Sequence, residues 1–386
     1  MGDGLPAVDL GPGQTAVQLA LGYGHTCALL DTGMLKCWGS NSFQLFDDKS
    51  GGQLGLGDMQ NRGAGTNDMG ANLPNVDLGS GWTIVEIAAG GYHTCARLEN
   101  GAERALKCWG RNDRGQLGLG DTNNRGDEDG EMGDSLPAVQ LGTGRSAVAL
   151  SLHILHSCAL LDDASVKFWG FNGYGALGLG DNINRGDGVG DSPQGNGAGG
   201  MGDSLPAVDL GPGQTAVQLA SGVYNTCALL DDGRLKCWGS GYGGTGANDM
   251  GANLPSVDVG AGWTVVEVAV GLDHTCARLE NGAARALKCW GWNTNGQLGL
   301  GNKIDRGDVA GSMGSSLLAV PLGTGRSAVA LALGWAHSCA LLDDASVKCW
   351  GRNKNGDLGL GDSQNRGDGA GEMGEALPAV DLGAGR

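Results

Sequence analysis

Residues 22–39 read GYGHTCALLDTGMLKCWG, two short apolar runs set about Asp31-Thr32-Gly33. Gly33 stands where a three-residue hairpin turn needs a positive φ, so HTCALL and LKCWG are expected to pair as antiparallel strands. Centring the hairpin on Thr32 sets Cys27 opposite Cys37 and Leu29 opposite Leu35 on one face, and Thr26 opposite Trp38 on the other. Both faces then carry bulk, and both are expected to be buried between neighbouring sheets.

The hairpin recurs. Its first cysteine falls at Cys27, Cys95, Cys158, Cys227, Cys276 and Cys339, steps that average about 62 residues. Each copy reads as four short strands, typified by LPAVDL, TAVQLA, HTCALL and LKCWG, with glycine-rich breaks between them. Four antiparallel strands make one propeller blade, so the expected architecture is all-β, a β-propeller of four-stranded blades. The expected organisation is one domain over residues 1–386, with blades at 5–72, 73–135, 136–204, 205–253, 254–316 and 317–376, and 377–386 a leftover or ring-closing strand. Six units are visible, and seven blades would require a missing one.

The six units are three units duplicated. Units one and four share LPAVDLGPGQTAVQLA, units two and five share ARLENGA…RALKCWG, and units three and six share LGTGRSAVAL with LLDDASVK. Unit four is shortened, passing from Trp238-Gly239 almost directly to GANDMGANLP where unit one inserts about twenty residues.

The 386 residues include 76 Gly and only 5% aromatics, which suits short strands and tight turns and ill suits long helices. The net charge of -17 repels phosphate backbones and anionic lipid, so neither nucleic acid nor a membrane surface is an expected partner. No stretch approaches the roughly 18 to 20 apolar residues of a membrane span, and MGDGLPAVDL has no signal-peptide pattern. MGDGLP and the closing LPAVDLGAGR both echo the internal repeat, which leaves open whether the chain is trimmed from a longer precursor.

Five hairpins oppose two cysteines: Cys27 with Cys37, Cys95 with Cys108, Cys227 with Cys237, Cys276 with Cys289, and Cys339 with Cys349. Opposed strand positions lie about 4.5 to 5.5 Å apart at Cα, inside disulfide range. In the third hairpin Phe168 faces Cys158, which is expected to be a buried free thiol. Five such pairs point to an oxidising compartment: secreted, extracellular or lumenal. The competing readings are reduced, buried cysteines packing as small hydrophobes and a His25-Cys27-Cys37 metal cluster, for which a fourth ligand and C-x-x-C spacing are lacking. His25, His93, His156, His274 and His337 recur at one repeat position, with Asn225 in the sixth copy, and read as structural hydrogen-bonding groups. Trp38, Trp109, Trp169, Trp238, Trp290 and Trp350 read as packing between blades.

The long glycine-rich loops after LKCWG are the candidate binding elements. They carry Arg-Gly-Asp at Arg125, Arg185, Arg306 and Arg366, with Asp127, Asp187, Asp308 and Asp368 as the acid. Asp129 and Glu131 enrich the second loop, and Asp191 lies beyond the third. Short acidic runs of this kind offer oxygen ligands to Ca²⁺, although the EF-hand pattern is absent. No other cofactor is expected. No nucleophile elbow, phosphate-cradling loop or confined acid–base pair appears, which argues against an enzyme.

The recurring GxxHTCALLxxGxLKCWGxNxxGQLGLGD, as at Gly22–Asp58, Gly91–Asp121 and Gly271–Gly301, resembles the regulator-of-chromosome-condensation repeat along essentially the whole chain. The resemblance implies a propeller of about seven blades. Its members include a nuclear exchange factor for a small GTPase, a plant ultraviolet photoreceptor, ubiquitin-ligase modules and secreted bacterial inhibitors. The shared denominator is a binding platform. The photoreceptor pattern implies tryptophans in G-W-x-H-T/S, where only Trp335 stands, and the exchange-factor wedge has no matching motif. The leading expectation is a non-enzymatic scaffold binding a protein or glycan partner through loops on one face. The alternatives are an intracellular regulator resembling the exchange factor and an architectural subunit of a larger complex.

Overall fold

The computed structural model describes residues 2–43, 50–188, 200–240, 249–309 and 311–383. The chain divides into two compact units, Val8–Asp209 with Thr245–Gly251, and Met1–Ala7 with Leu210–Gly244 and Ala252–Arg386. The first holds three three-stranded antiparallel sheets, Ala16–Leu21, His25–Leu30, Leu35–Gly39; Thr83–Ala89, His93–Asn100, Glu103–Gly110; and Ala147–Leu152, His156–Leu161, Val166–Gly170, with a two-stranded pair, Ser42–Phe43 and Ser50–Gly51, beside the first. The second holds three more: Ala216–Ser221, Asn225–Leu230, Leu235–Gly239; Thr264–Val270, His274–Asn281, Ala284–Gly291; and Ala328–Leu333, His337–Leu342, Val347–Gly351. These sheets are blades one to six in chain order, and no helix among the described residues is long and apolar enough to cross a membrane.

The hairpin register is the one its turn dictates. Cys27 pairs with Cys37, Leu29 with Leu35 and Thr26 with Trp38, and Gly33 takes φ 79°. Five disulfides close the hairpins, each with Cα atoms 4.1 Å apart: Cys27–Cys37, Cys95–Cys108, Cys227–Cys237, Cys276–Cys289 and Cys339–Cys349. In blade three Cys158 pairs with Phe168, and its buried free thiol donates to the Ser151 carbonyl at 3.0 Å.

The blades have three strands, not the four expected, and the reason lies in LPAVDL. Proline removes one ladder donor from this segment, and a single bond from its valine remains: Val76 N–H to Leu35 O, Val139 to Leu106, Val208 to Val166, Val257-type pairing to Leu235, Val320 to Leu287 and Val380 to Val347. Each acceptor belongs to the last strand of the preceding blade. The segment is therefore the outer margin of the blade before it, one unit earlier than the sequence boundaries place it, and 377–382 edges blade six. Its leucines are buried in that role, as at Leu73, Leu136, Leu205, Leu254, Leu317 and Leu377.

The lysine of LKCWG fastens this margin. Lys107 Nζ, buried, donates to Leu78 O at 2.9 Å and Gly133 O at 2.8 Å, and Lys36, Lys288 and Lys348 each bridge the equivalent two carbonyls. A buried ammonium is tolerated because these acceptors satisfy it.

Apolar cores form where consecutive blades meet. Cys27, Leu29, Leu35 and Cys37 of blade one pack against Ile87, Ala96, Leu98 and Trp109 of blade two. Cys227, Leu229 and Leu235 of blade four meet Val268, Ala277, Leu279 and Trp290 of blade five in the same way. The expectation that both faces of every blade are buried fails at blade one, where Trp38 is half-buried and Leu19 is exposed.

The hairpin pairing makes a thiol count. Unfolded without reductant, the chain is expected to take up one alkyl group from eleven cysteines, at Cys158, and Phe168→Cys is expected to lower the count to zero from twelve. Mass spectrometry reads both, and more than one alkylated cysteine in the parent chain would contradict the pairing.

Candidate functional site

At one end of the sheets a turn enters the middle strand, GxxH in blades one, two, five and six, His153-Ile154-Leu155-His156 in blade three and Gly222-Val223-Tyr224-Asn225 in blade four, and WGxN leaves the last strand in all but blade four. The glycine opening the turn is needed for close approach: a Cβ on Gly22 would lie 2.1 Å from His25 Cε1, and one on Gly90 2.3 Å from His93 Cε1. The imidazole thus folds back over its own turn and points toward the next blade.

There it enters a relay. His25 Nε2 lies 2.9 Å from Thr94 Oγ1 of blade two. That hydroxyl donates to the Gln53 carbonyl of blade one at 3.0 Å, and Trp109 Nε1 donates to the same oxygen at 3.1 Å. Both lone pairs of one carbonyl are used. Blades two and three repeat the set with His93, Ser157, Gln116 and Trp169 at 2.7, 2.8 and 3.0 Å. Blades five and six repeat it with His274, Ser338, Gln297 and Trp350 at 2.8, 2.9 and 3.0 Å.

Because the hydroxyl donates to the carbonyl, it accepts from Nε2–H, which fixes the tautomer. Nδ1 of His25, His93 and His274 is left buried without a partner among the described residues. A second proton would meet no acceptor among the described residues, and burial holds His25 and His156 down at about 4 and His93 and His274 at about 3.

The junction of blades four and five shows what the relay requires. The shortened unit four lacks the GQLG segment, and Asn225 replaces the histidine. Thr275 Oγ1 and Trp290 Nε1 are accordingly buried without a partner among the described residues.

Beyond the relay, the same end of the sheets carries exposed aromatics beside arginines. In the unit of blades one to three, the rings of Tyr23 and Tyr92 lie 5.7 Å apart, the Arg111 guanidinium is 5.8 Å from the Tyr92 ring, and Arg114 is 5.8 Å from Phe171. Phe171 meets Tyr174 edge-on at 5.9 Å. In the unit of blades four to six, Arg352 lies 5.8 Å from the exposed Trp335 ring, and Trp292 is also exposed. Burial pushes the nearby Asp273 carboxyl up from its ordinary value.

Five stretches, residues 16–44, 84–116, 216–245, 265–297 and 328–357, match the regulator of chromosome condensation (RCC1) repeat. The ultraviolet-B receptor UVR8 of Arabidopsis thaliana is 30% identical over 357 residues, 92% of this chain and 69% of that protein. The chain belongs to the RCC1-repeat family. Its fold is accordingly that of solved propellers: human WBSCR16 superposes with a TM-score of 0.65 at 20% identity, covering 92% of this chain and 82% of that one. Yeast RCC1 (Prp20), solved with Kap60, does so at 0.63 and 18%, covering 95% and 74%.

Within this RCC1-repeat chain the Arg-Gly-Asp arginines are anchors of their own loops. Arg125 pairs with Asp121 at 2.6 Å, donates to the carbonyls of Asn123 and Asn124, and exchanges backbone bonds with Gly110. Arg185 and Arg366 repeat this with Asp181 and Asp362, while Arg306, which has Asn302 at the position of that aspartate, keeps the carbonyl bonds to Ile304 and Asp305. Burial and the charge of Glu131 push the Asp127 carboxyl up, and Glu131 itself accepts from the Gly126 and Glu128 amides. Asp187 is buried, Asp368 pairs with Lys303 at 3.0 Å, and Asp129 and Asp308 are exposed. Asp191 lies outside the described residues. Among the described residues no group of three or more His, Cys, Asp or Glu side chains is placed to hold a metal, and the sulfurs of a His25-Cys27-Cys37 cluster are spent in the disulfide.

The asparagines of WGxN escaped the sequence reading. Asn112 is fully buried, donates to the Asp121 carbonyl at 2.9 Å and accepts from Leu117 N–H at 2.9 Å. Asn41, Asn172, Asn293 and Asn353 do the same in their loops. Their recurrence next to a loop was the available signal.

Two outcomes are expected from the relay. Ser157→Ala strands the His93 donor and is expected to destabilise by about 1–3 kcal/mol, whereas Thr275→Val, at the hydroxyl without a partner, is expected to be neutral or stabilising; denaturant titration distinguishes them. The histidines also set a pH dependence. They titrate near 6.5 when unfolded and at about 3 to 4 when folded. The unfolded chain therefore takes up protons that the folded chain refuses. Stability is full above about 6.5 and falls with pH through the folded values, by about 1.4 kcal/mol per pH unit for each histidine. His93→Asn, the residue unit four carries, is expected to flatten that slope when unfolding is followed against pH.

Proposed function

We propose that this chain is a non-enzymatic scaffold that binds a protein partner on the sheet end carrying the GxxH turns, and that it works in an oxidising compartment. The carrying observation is the exposed Trp335 ring with Arg352 held over it, a pairing that half-buried Tyr92 and Arg111 repeat in the other unit. Aromatics and arginine are the residue types that dominate protein-binding energetics, and stacking pre-orders the guanidinium. The adjacent loops support this reading because their arginines and buried asparagines are committed internally, so they frame the surface. Yeast RCC1, a fold neighbour, is solved in complex with another protein, Kap60. Five hairpin disulfides support the compartment, since such bonds persist where glutathione does not reduce them.

The test is site-specific photo-crosslinking in native material. A benzophenone side chain at Tyr92 or Trp335 is expected to capture a defined protein, and the same probe at Asp129 is not. Trp335→Ala and Arg352→Ala are each expected to weaken binding of the captured protein about tenfold. Capture from Asp129 alone, or capture of glycan without protein, would contradict the proposal.

A further inference from the structure

Four loops hold their arginine with a carboxylate of their own. Arg62, Arg125, Arg185 and Arg366 each place Nη2 2.6 Å from Oδ2 of the aspartate four residues upstream, Asp58, Asp121, Asp181 and Asp362, and turn Nη1 to loop carbonyls. The aspartate's other arm, Oδ1, accepts from the amide two residues on at 2.8 or 2.9 Å. The loop of blade five keeps one half of this arrangement. Asn302 Oδ1 accepts from Ile304 N–H at 2.9 Å, so its second arm is the amide nitrogen, a donor, which turns to the Leu300 carbonyl at 3.1 Å. Arg306 Nη1 still reaches the Ile304 and Asp305 carbonyls at 3.3 and 3.0 Å. Among the described residues its Nη2 meets no acceptor, and Arg306 is half-buried.

The surroundings of Arg306 differ in the same sense. In the blade-two copy of this loop, Arg125 stands in a recess lined by four carboxylates, Asp113, Asp127, Glu128 and Glu131. The corresponding residues of blade five are Thr294, Asp308, Val309 and Ser312, and Lys303 and Ile304 replace Thr122 and Asn123. They line an open recess of about 560 Å³ with Arg306. The acids that remain are Asp308 and Asp305, and Asp305 accepts from Asn293 N–H at 2.7 Å. Ile304 and Val309 are 60% and 62% exposed. Trp292, next to the glycine that exchanges backbone bonds with Arg306, is 58% exposed where blade two has Arg111. One loop has thus traded acid for apolar surface around a guanidinium that lacks its usual carboxylate, the composition of a recognition surface.

We propose that the blade-five loop takes a carboxylate supplied from outside the chain, an Asp or Glu side chain in an exposed segment of the bound protein. The site rests on the scaffold function proposed above and states the chemistry of the partner. The incoming carboxylate accepts from Arg306 Nη2–H in the place that Asp362 Oδ2 takes at Arg366, and apolar residues flanking it lie against Ile304, Val309 and Trp292. The two Nη1 bonds already hold the guanidinium, so little side-chain freedom is lost when the charge-assisted pair forms. The blade-two loop refuses the same segment, because Arg125 is paired with Asp121 and four further carboxylates surround it. The internal copy therefore supplies both the template for the pair and the reason that one loop alone selects an acidic partner.

Magnetic resonance titration of the isotope-labelled full chain with the peptide acetyl-Phe-Glu-Leu-amide tests this. At millimolar peptide the Arg306 side-chain N–H and Trp292 indole N–H signals are expected to shift saturably, and the matching glutamine peptide is expected to bind at least tenfold more weakly. Asn302→Asp returns the loop's own carboxylate. It is expected to melt no lower than the parent and to bind the glutamate peptide at least tenfold more weakly. Equal binding of the two peptides, an unmoved Arg306 signal, or full binding by Asn302→Asp would overturn the site. Should the variant fail to fold, the two peptides compared on the parent chain decide. The outcomes separate this site from the scaffold function: a failed titration beside a protein still captured from Trp335 removes the site alone, whereas a successful titration with no protein captured removes the scaffold function.

Discussion

At three junctions one backbone carbonyl, that of Gln53, Gln116 or Gln297, accepts from both the tryptophan and the hydroxyl of the following blade. Much of the repeat follows from keeping that oxygen in place. The tryptophan must lie flat enough at the junction for its N–H to reach, the Thr or Ser must face it across the hairpin, and the histidine must supply the hydroxyl with a donor. Glycine at the head of the GxxH turn is what lets the imidazole lie where it does. These groups are buried, so each unmade bond is expensive, and the set is strongest when complete.

The remaining regularities hold the parts that present the carbonyl. Disulfides tie the two strands of a hairpin, closing sequence separations of 10 or 13 residues, and do not join blades. The lysine of LKCWG fastens the outer margin through carbonyls that are otherwise remote in sequence. The buried asparagine holds the loop that contains the glutamine. With so much of the repeat absorbed by packing, variation is left to the x positions of GxxH and WGxN, where half-buried Tyr92, Arg111 and Arg352 and exposed Trp335 stand. Function in this family is best sought there, since a shared fold does not fix a shared partner.

The hairpin was legible because its information is local: the turn sets the register, and the register alone opposes Cys27 to Cys37 and Cys158 to Phe168. LPAVDL was misread because its β-type composition resembles a strand, while its proline and its pairing with the preceding blade reduce it to a one-bond margin. The histidines could be read as structural, yet their partners could not, because Thr94 lies 69 residues from His25 and Ser157 lies 64 from His93. The Arg-Gly-Asp motif looked like a ligand when isolated from the aspartate four residues upstream that claims its arginine. The deletion in unit four was visible, but its consequence at Trp290 and Thr275 required knowing that a blade is completed by the loop of the one before.

The histidine and the hydroxyl act as one unit across the junction. A double-mutant cycle with His93→Ala and Ser157→Ala, read by equilibrium unfolding, measures this directly. Coupled junction groups predict an interaction free energy of about 0.5–3 kcal/mol, and the matching cycle at Asn225 and Thr275 predicts none. Additivity at His93 and Ser157 to within about 0.5 kcal/mol would contradict it.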